Sequence, residues 1–412
     1  MFLKDKSHGL YGRGSRRSRE SGVGNPGGEH VENFTFFNPT KIEFGLGKEQ
    51  TIGRHLSEHG VKKVLLCYGS ERIKREGLFD VVARSLAEKG VAWVELGGIV
   101  SNPVISKVRE AVSLGRAHQV DAILSVGGGS VLDSAKAIAA GLRYDGDVWD
   151  LFVGKAGIES ALPLFAILTL AATGSEMNAA AVVTNEETRE KFFIMSPALF
   201  PVASIVNPTL MRSVSREYLV YSASDVIAHL IEGYFTAAEH PKLQSRLVEA
   251  LINTVIETTE ALLVDPEDDD ARGQFAWAAT LALNGLTSAG VSGSSWPNHA
   301  IEHAISALFN VPHGAGLSVV MPAWMKWSLS RNPAQFKRFA ATVFGVDTAE
   351  QGVAALEAWF DKIGTPTRLS QLGLGETQIP AIVENALGNV GAFGIADVYT
   401  RETIADILTN AL

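Results

Sequence analysis

Between Lys41 and Val206, short runs of β-branched and aliphatic residues alternate with stretches of helical periodicity, and nothing else constrains the fold of this 412-residue chain so strongly. Such alternation marks βαβ units, in which each helix carries the chain back so that the next strand lies parallel to the last. Runs 61–68, 91–96, 121–126, 163–169 and 202–206 read as strands of one largely parallel sheet. Runs 181–184 and 191–194, joined by the polar turn Asn185-Glu186-Glu187-Thr188, read as a hairpin. Beyond Asn207-Pro208 the pattern shifts to long Ala-, Leu- and Glu-rich stretches with a 3.6-residue period. The expected organisation is an α/β domain over 33–208 followed by an all-helical domain over 209–412. Residues 1–32, rich in Gly, Ser and Arg and lacking apolar periodicity, are expected to be a disordered, dispensable leader.

Gly127-Gly128-Gly129-Ser130-Val131-Leu132-Asp133 separates the third strand from an Ala-rich helix. Glycines there let backbone N–H groups approach an anion, and the helix N-terminus adds a partial positive charge, so the loop is a candidate pyrophosphate cradle. It lacks both the Gly-x-Gly-x-x-Gly pattern and the Lys-Ser/Thr ending of a P-loop, and a strand-to-helix glycine turn often serves packing alone. The next strand end repeats the theme in Thr169-Leu170-Ala171-Ala172-Thr173-Gly174-Ser175-Glu176. Two such turns at neighbouring strand ends favour a nucleotide, giving a Rossmann-like, dinucleotide-binding first half.

In the helical half, Asp225 and His229 are four residues apart and so share a helical face. Of the ten histidines, only His229, His299, His303 and His313 have apolar flanks. Buried imidazoles and a carboxylate require partners, either each other or a metal, and this nitrogen-rich set suits Fe²⁺ or Zn²⁺ rather than Ca²⁺ or Mg²⁺. Spacing leaves open whether His299 or His303 is the third ligand, since both lie on one face. With glycine turns in one half and metal ligands in the other, chemistry is expected in the cleft between them.

The net charge of −9 argues against nucleic-acid or anionic-membrane partners. The longest nearly apolar stretch, 161–172, is broken by Pro163 and falls short of the roughly 18 residues of a spanning helix. A single cysteine, Cys67, excludes an internal disulfide and fits a reducing cytoplasm. The apolar segment Trp149-Asp150-Leu151-Phe152-Val153 and Trp296 suggest a modest-sized apolar substrate.

These two glycine turns, Asp225-x-x-x-His229, and His299-x-x-x-His303 ending in Pro312-His313-Gly314 together resemble the iron-activated, group III alcohol dehydrogenases from about Asn33 to Leu412. Phe44-Gly45-Leu46-Gly47, Gly97-Gly98-Ile99 with Asn102-Pro103, and Trp277 to Gly285 are similar to the branch of NADPH-dependent butanol dehydrogenases and broad-range aldehyde reductases. The resemblance implies a metal held by Asp225, His229, His299 and His313, with Asp225 and His299 thereby catalytic, and His303 in the cleft as a proton relay or an orienting hydrogen-bond partner. It implies a cofactor site of Gly69, Ser70, Arg72, Asn102, Gly127, Gly128, Gly129, Ser130, Asp133, Thr169, Thr173, Ser175 and Lys191. Ser70 stands where NAD-using members carry an acidic residue, and Arg72 follows it, so NADP(H) is expected over NAD(H). A homodimer is implied as well. The same architecture leaves two alternatives, a dehydroquinate-synthase-like lyase and a glycerol-type polyol dehydrogenase. A nucleotide-binding protein without catalysis has little use for four ligands.

Overall fold

The computed structural model describes residues 28–412, so most of the expected leader, 1–27, lies outside the described residues. Among the described residues eight strands form: β1 (Lys41–Phe44), β2 (Lys63–Tyr68), β3 (Ala92–Leu96), β4 (Ala122–Gly127), β5 (Leu164–Leu168), β6 (Ala180–Asn185), β7 (Glu190–Met195) and β8 (Ala203–Val206). Six make a parallel sheet in the order β1-β8-β5-β4-β2-β3, and β6 and β7 pair antiparallel as the expected hairpin. Edge strand β1 has no counterpart among the runs read as strands; four residues, Lys41-Ile42-Glu43-Phe44, are too few to show alternation.

Helices of seven residues or more are α1 (Ile52–Glu58), α2 (Leu78–Glu88), α3 (Ile105–His118) and α4 (Gly129–Gly141) beside the sheet. In the second half they are α5 (Arg216–Thr236), α6 (Lys242–Val264), α7 (Asp269–Ala282), α8 (Pro297–Phe309), α9 (His313–Ser328), α10 (Pro333–Val343), α11 (Ala349–Ile363), α12 (Ile379–Ala392) and α13 (Arg401–Thr409). Period-two alternation explains the layers. Leu65, Cys67, Ile123 and Leu164 point to the face covered by α3 and α4, while Val64, Leu66, Leu124 and Phe165 point to the face of α1 and α2. Covered on both faces, β4 and β5 are buried throughout, as parallel strands are.

The chain turns from β2 outward to β3 and then back to β4 on the other side of β2, which makes the β2/β4 boundary a topological switch point. Ligands of open α/β sheets lie in the crevice outside the strand ends there. A third core joins Leu168 and Val206 to α5, α8 and α9, so the helical half packs directly onto the sheet. Residues 28–32, expected to be leader, lie on that half: the His240 N–H donates to the Gly28 carbonyl at 3.0 Å, the Glu32 N–H to the Gly290 carbonyl at 3.0 Å, and Lys242 pairs with Glu29 at 2.8 Å. Trp149, Leu151 and Phe152, expected near substrate, are instead in the sheet core, with Trp149 stacked on Phe152 and Phe192.

Candidate active site

Ser215 caps α5 by accepting the Tyr218 N–H, and the helix then carries Asp225, His229 and Glu232 at i, i+4 and i+7, one stripe. Helix α8 brings His299, Glu302 and His303. His313 opens α9, delivered by a turn in which Asn310 adopts φ 53°, the left-handed cap of α8. Gly314 permits the last approach, because a Cβ there would overlap the Tyr221 carbonyl one turn before Asp225.

All these side chains converge. Asp225 Oδ1 lies 3.3 Å from His229 Nε2, 3.7 Å from His299 Nε2 and 3.6 Å from His313 Nε2. Ligands about 2.0–2.2 Å from one tetrahedral ion are about 3.3–3.6 Å from each other. Asp225, His229 and His299 each bring a donor atom within 4.8 Å of the other two, so these three fit a shared cation, whereas His313 meets Asp225 but groups by the same measure with Glu302 and His303. Asp225 Oδ1 and His299 Nε2 are buried without a hydrogen-bond partner, as atoms awaiting an ion are. Two further carboxylates orient the rings. Glu232 Oε1 meets His299 Nδ1 at 2.9 Å and accepts the His299 backbone N–H at 3.0 Å, and Glu302 Oε2 hydrogen-bonds His313 Nδ1. A proton held on each Nδ1 leaves each Nε2 with its lone pair.

Counted as carboxylates, buried Asp225, Glu232 and Glu302 face one buried ammonium, Lys191, and leave two negative charges for a divalent cation to balance. Burial disfavours charge on Asp225, yet the three imidazoles hold its carboxyl well below the usual range. Burial drags His229 down to about 3, keeping it neutral. At His299 burial is outweighed by Asp225 and Glu232, which raise it to about 9; the field that holds this proton is the one that attracts a cation to replace it. Burial, with Lys191, His313 and His299, pushes His303 well below the ordinary histidine range. His303 Nδ1 is buried and unpartnered, and its ring centroid lies 5.6 Å from that of His313.

Across from this cluster are the strand ends. Gly69, Ser70, Arg72, Gly128, Ser130, Asp133 and Thr173 keep accessible surface along the β2/β4 crevice. A Cβ on Gly129 would overlap the Thr173 side chain, so that glycine is required for the two turns to touch. Gly127 carries the Thr169 N–H on its carbonyl at 3.0 Å.

Four expected cofactor residues, Ser175, Asp133, Asn102 and Arg72, have polar atoms engaged within the protein. Ser175 is 1% exposed; its hydroxyl donates to Asp133 Oδ1 at 2.7 Å and accepts from Lys136 Nζ at 2.8 Å. Asp133 also accepts the Val182 N–H at 3.0 Å, so both its oxygens are occupied. Asn102 donates to the Val311 carbonyl at 3.0 Å and accepts from Lys191 Nζ at 3.1 Å, bridging the two halves rather than standing free in the crevice. Arg72 donates to the Ser213 carbonyl at 3.1 Å.

Residues 39–208 match the family described as iron-containing alcohol dehydrogenase, and 219–412 match the C-terminal domain of Fe-containing alcohol dehydrogenases. The chain belongs to the iron-containing alcohol dehydrogenase family. Membership brings the reaction class, metal-dependent alcohol oxidation and aldehyde reduction. A probable NADH-dependent butanol dehydrogenase of Bacillus subtilis is 40% identical over 390 residues, spanning 93% of this chain and 100% of that one. The NADPH-dependent aldehyde reductase YqhD of Escherichia coli is 34% identical over 363 residues, 86% of this chain and 92% of that one. The crystal structure of an NADH-dependent butanol dehydrogenase A from Thermotoga maritima superposes with a TM-score of 0.90 at 44% identity, covering 93% of this chain and 99% of that one.

Sequence reading of this alcohol dehydrogenase passed over Glu232, Glu302 and Lys136, all at 0% exposure. A signal existed for each. Glu232 continues the Asp225/His229 stripe, Glu302 lies between two histidines on an apolar helix, and Lys136 interrupts an alanine run.

Proposed function

We propose that the chain reduces small, mainly apolar aldehydes to alcohols, preferring NADPH, with Fe²⁺ or Zn²⁺ held by Asp225, His229, His299 and His313. The observation that carries this reading is the approach of three imidazole Nε2 atoms to one unpartnered Asp225 oxygen. When bound, the ion supplies positive charge that stabilises the negative charge growing on the substrate oxygen, and the reduced nicotinamide supplies hydride. The chain's own share is placement. Gly128, Ser130 and the N-terminus of α4 receive the pyrophosphate, and Thr173 keeps surface in the same crevice, whereas Thr169 is buried. Asp133, tied down by Ser175, stiffens the wall beside them.

His303 moves the proton. Kept neutral by burial, it holds its one ring N–H on the Lys191 backbone and presents Nδ1 as an acceptor, which takes the proton of an alcohol in the oxidation direction and, in reduction, returns to the substrate oxygen a proton it has first taken up from water. Trp296, with its indole edge-on to His229 and His299 at centroid distances of 6.2 and 5.2 Å, walls the substrate side and sets its apolar character.

The NADPH preference rests on the turn after β2. Exposed Ser70 offers no carboxylate to repel a 2′-phosphate, Arg72 stands two residues on, and Glu71 is drawn off by the Tyr68 hydroxyl at 3.1 Å and Lys74 at 3.2 Å. The relatives' names divide between the two nucleotides. Comparing kcat/KM for NADPH and NADH in wild type and Ser70→Asp decides the point: NADPH should lead in wild type and lose that lead in the variant. The reading also includes a homodimer, supported by exposed Phe34, Phe36 and Phe37 on the segment that leads into edge strand β1, and a cytoplasmic setting in which buried Cys67 stays reduced.

Metal analysis of the purified protein and an assay with butanal and NADPH test the core of the proposal. Asp225→Ala and His313→Ala should lose bound metal and turnover while still binding NADPH; turnover at the wild-type rate in either variant overturns the ligand assignment.

A further inference from the structure

Glu302 is fully buried on α8, and both of its oxygens are engaged. Oε1 accepts the Ser306 hydroxyl, and Oε2 bonds His313 Nδ1 with Lys191 Nζ 3.7 Å away. Lys191 reaches this point from β7, in the other half of the molecule. Its ammonium also donates to Asn102 Oδ1 at 3.1 Å and stands 3.4 Å from His313 Nδ1. Asn102 Nδ2 in turn donates to the Val311 carbonyl at 3.0 Å and Asn310 Oδ1 at 3.2 Å, in the turn that delivers His313. The sheet half therefore reaches the His313 segment twice, its backbone turn through Asn102 and its ring through Lys191, which stands beside the Glu302 carboxylate that bonds that ring.

The two charges act on that ring in opposite senses. A carboxylate accepting the Nδ1 proton fixes the tautomer and makes Nε2 a stronger electron-pair donor. An ammonium beside the same carboxylate draws off part of that influence, and its positive charge within a few ångströms of the Nε2 cluster opposes the arrival of a cation. Neither residue reaches the Asp225 oxygen on which the imidazoles converge, so both act through His313.

We propose that Glu302 and Lys191 are paired positioning residues that set how tightly the Asp225–His229–His299–His313 site holds its cation, Glu302 strengthening the hold and Lys191 weakening it. This rests on the metal reading of that cluster. A pair serving only to stabilise the fold behaves differently, since removing either partner would loosen the site and both variants would shift in one direction.

The test is a Zn²⁺ dissociation constant, measured by competition with a chromogenic chelator on the full chain, for wild type, Glu302→Gln and Lys191→Met, alongside melting of each metal-free protein. Glu302→Gln should weaken binding by about 10- to 100-fold, the usual cost of losing a carboxylate that orients a ligating histidine. Lys191→Met should tighten it by about 10-fold or more, the effect of one unit charge about 6 Å from a divalent ion at water-like screening, which a lower dielectric only enlarges. Should Glu302→Gln not fold, Lys191→Met alone decides, because a merely disruptive change does not tighten a site. Two shifts of the same sign, or none, overturn the proposal while leaving the metal reading intact. Failure of the wild type to take up one cation overturns both.

Discussion

Lys136 shows how one side chain holds the two nucleotide-side turns together. Its ammonium, at 0% exposure inside α4, donates to Ser175 Oγ at 2.8 Å, Asn178 Oδ1 at 2.9 Å and the Ala180 carbonyl at 2.8 Å, using all three of its donors. Burial lowers it to about 8, against the pull of Asp133 and Glu176 that would raise it. Because the folded value lies below the unfolded one, the unfolded chain binds more protons between about 8 and 10.5, and stability rises with pH across that window. Denaturant titrations of wild type should show this rise, and Lys136→Met should lack it while losing about 1–3 kcal/mol by leaving the buried Ser175, Asn178 and Ala180 acceptors without their donor. Equal slopes in the two proteins would show that Lys136 titrates normally. Cys67, buried and pushed up to about 12 by desolvation, should react with a thiol reagent only as fast as the chain unfolds; native-state labelling within seconds would contradict its placement in β2.

Elements, in turn, decide whether ligands separated by more than eighty residues can meet. Helices α5, α8 and α9 each contribute side chains from one stripe, and their crossing brings the stripes to Asp225. Gly314 controls the tightest of these contacts, since the atom a side chain would strike belongs to backbone and cannot turn aside. Gly314→Ala should push α9 outward, cost about 1–3 kcal/mol and reduce metal occupancy together with turnover. Full occupancy at unchanged stability, read by metal analysis and thermal melting, would mean that α5 and α9 are spaced more loosely than this packing requires.

For the whole molecule, the proposed cation adds a polar tie among three helices already packed through a shared apolar core. A ligand bound only by the folded state adds about 2.7 kcal/mol when its free concentration is a hundred times its dissociation constant. Chelation should therefore lower the melting temperature, and added Zn²⁺ should restore it; the Asp225→Ala protein should show neither response. Sedimentation at micromolar concentration should give twice the 44.0 kDa chain mass, and a single monomeric boundary there would remove the dimer from the reading. Among the described residues no helix is long and apolar enough to cross a membrane.

Local pattern was sufficient for much of this protein. Five of the six parallel strands, the β6–β7 hairpin, the change to helices after Asn207 and the Asp225/His229 pair all follow from periodicity and spacing, because those depend on neighbours within a few residues. Glu232, Glu302 and Lys136 leave a trace in the sequence, but their burial and their partners exist only in three dimensions. A buried charge is defined by partners far along the chain, His313 and Lys191 for Glu302, and Asp133 and Ser175 for Lys136. The same holds for Trp149 and Phe152, whose composition suited a substrate wall equally well as the sheet core they occupy. Which charge faces which, and which apolar residue faces solvent, substrate or core, depends on how distant segments pack, and no local period encodes that.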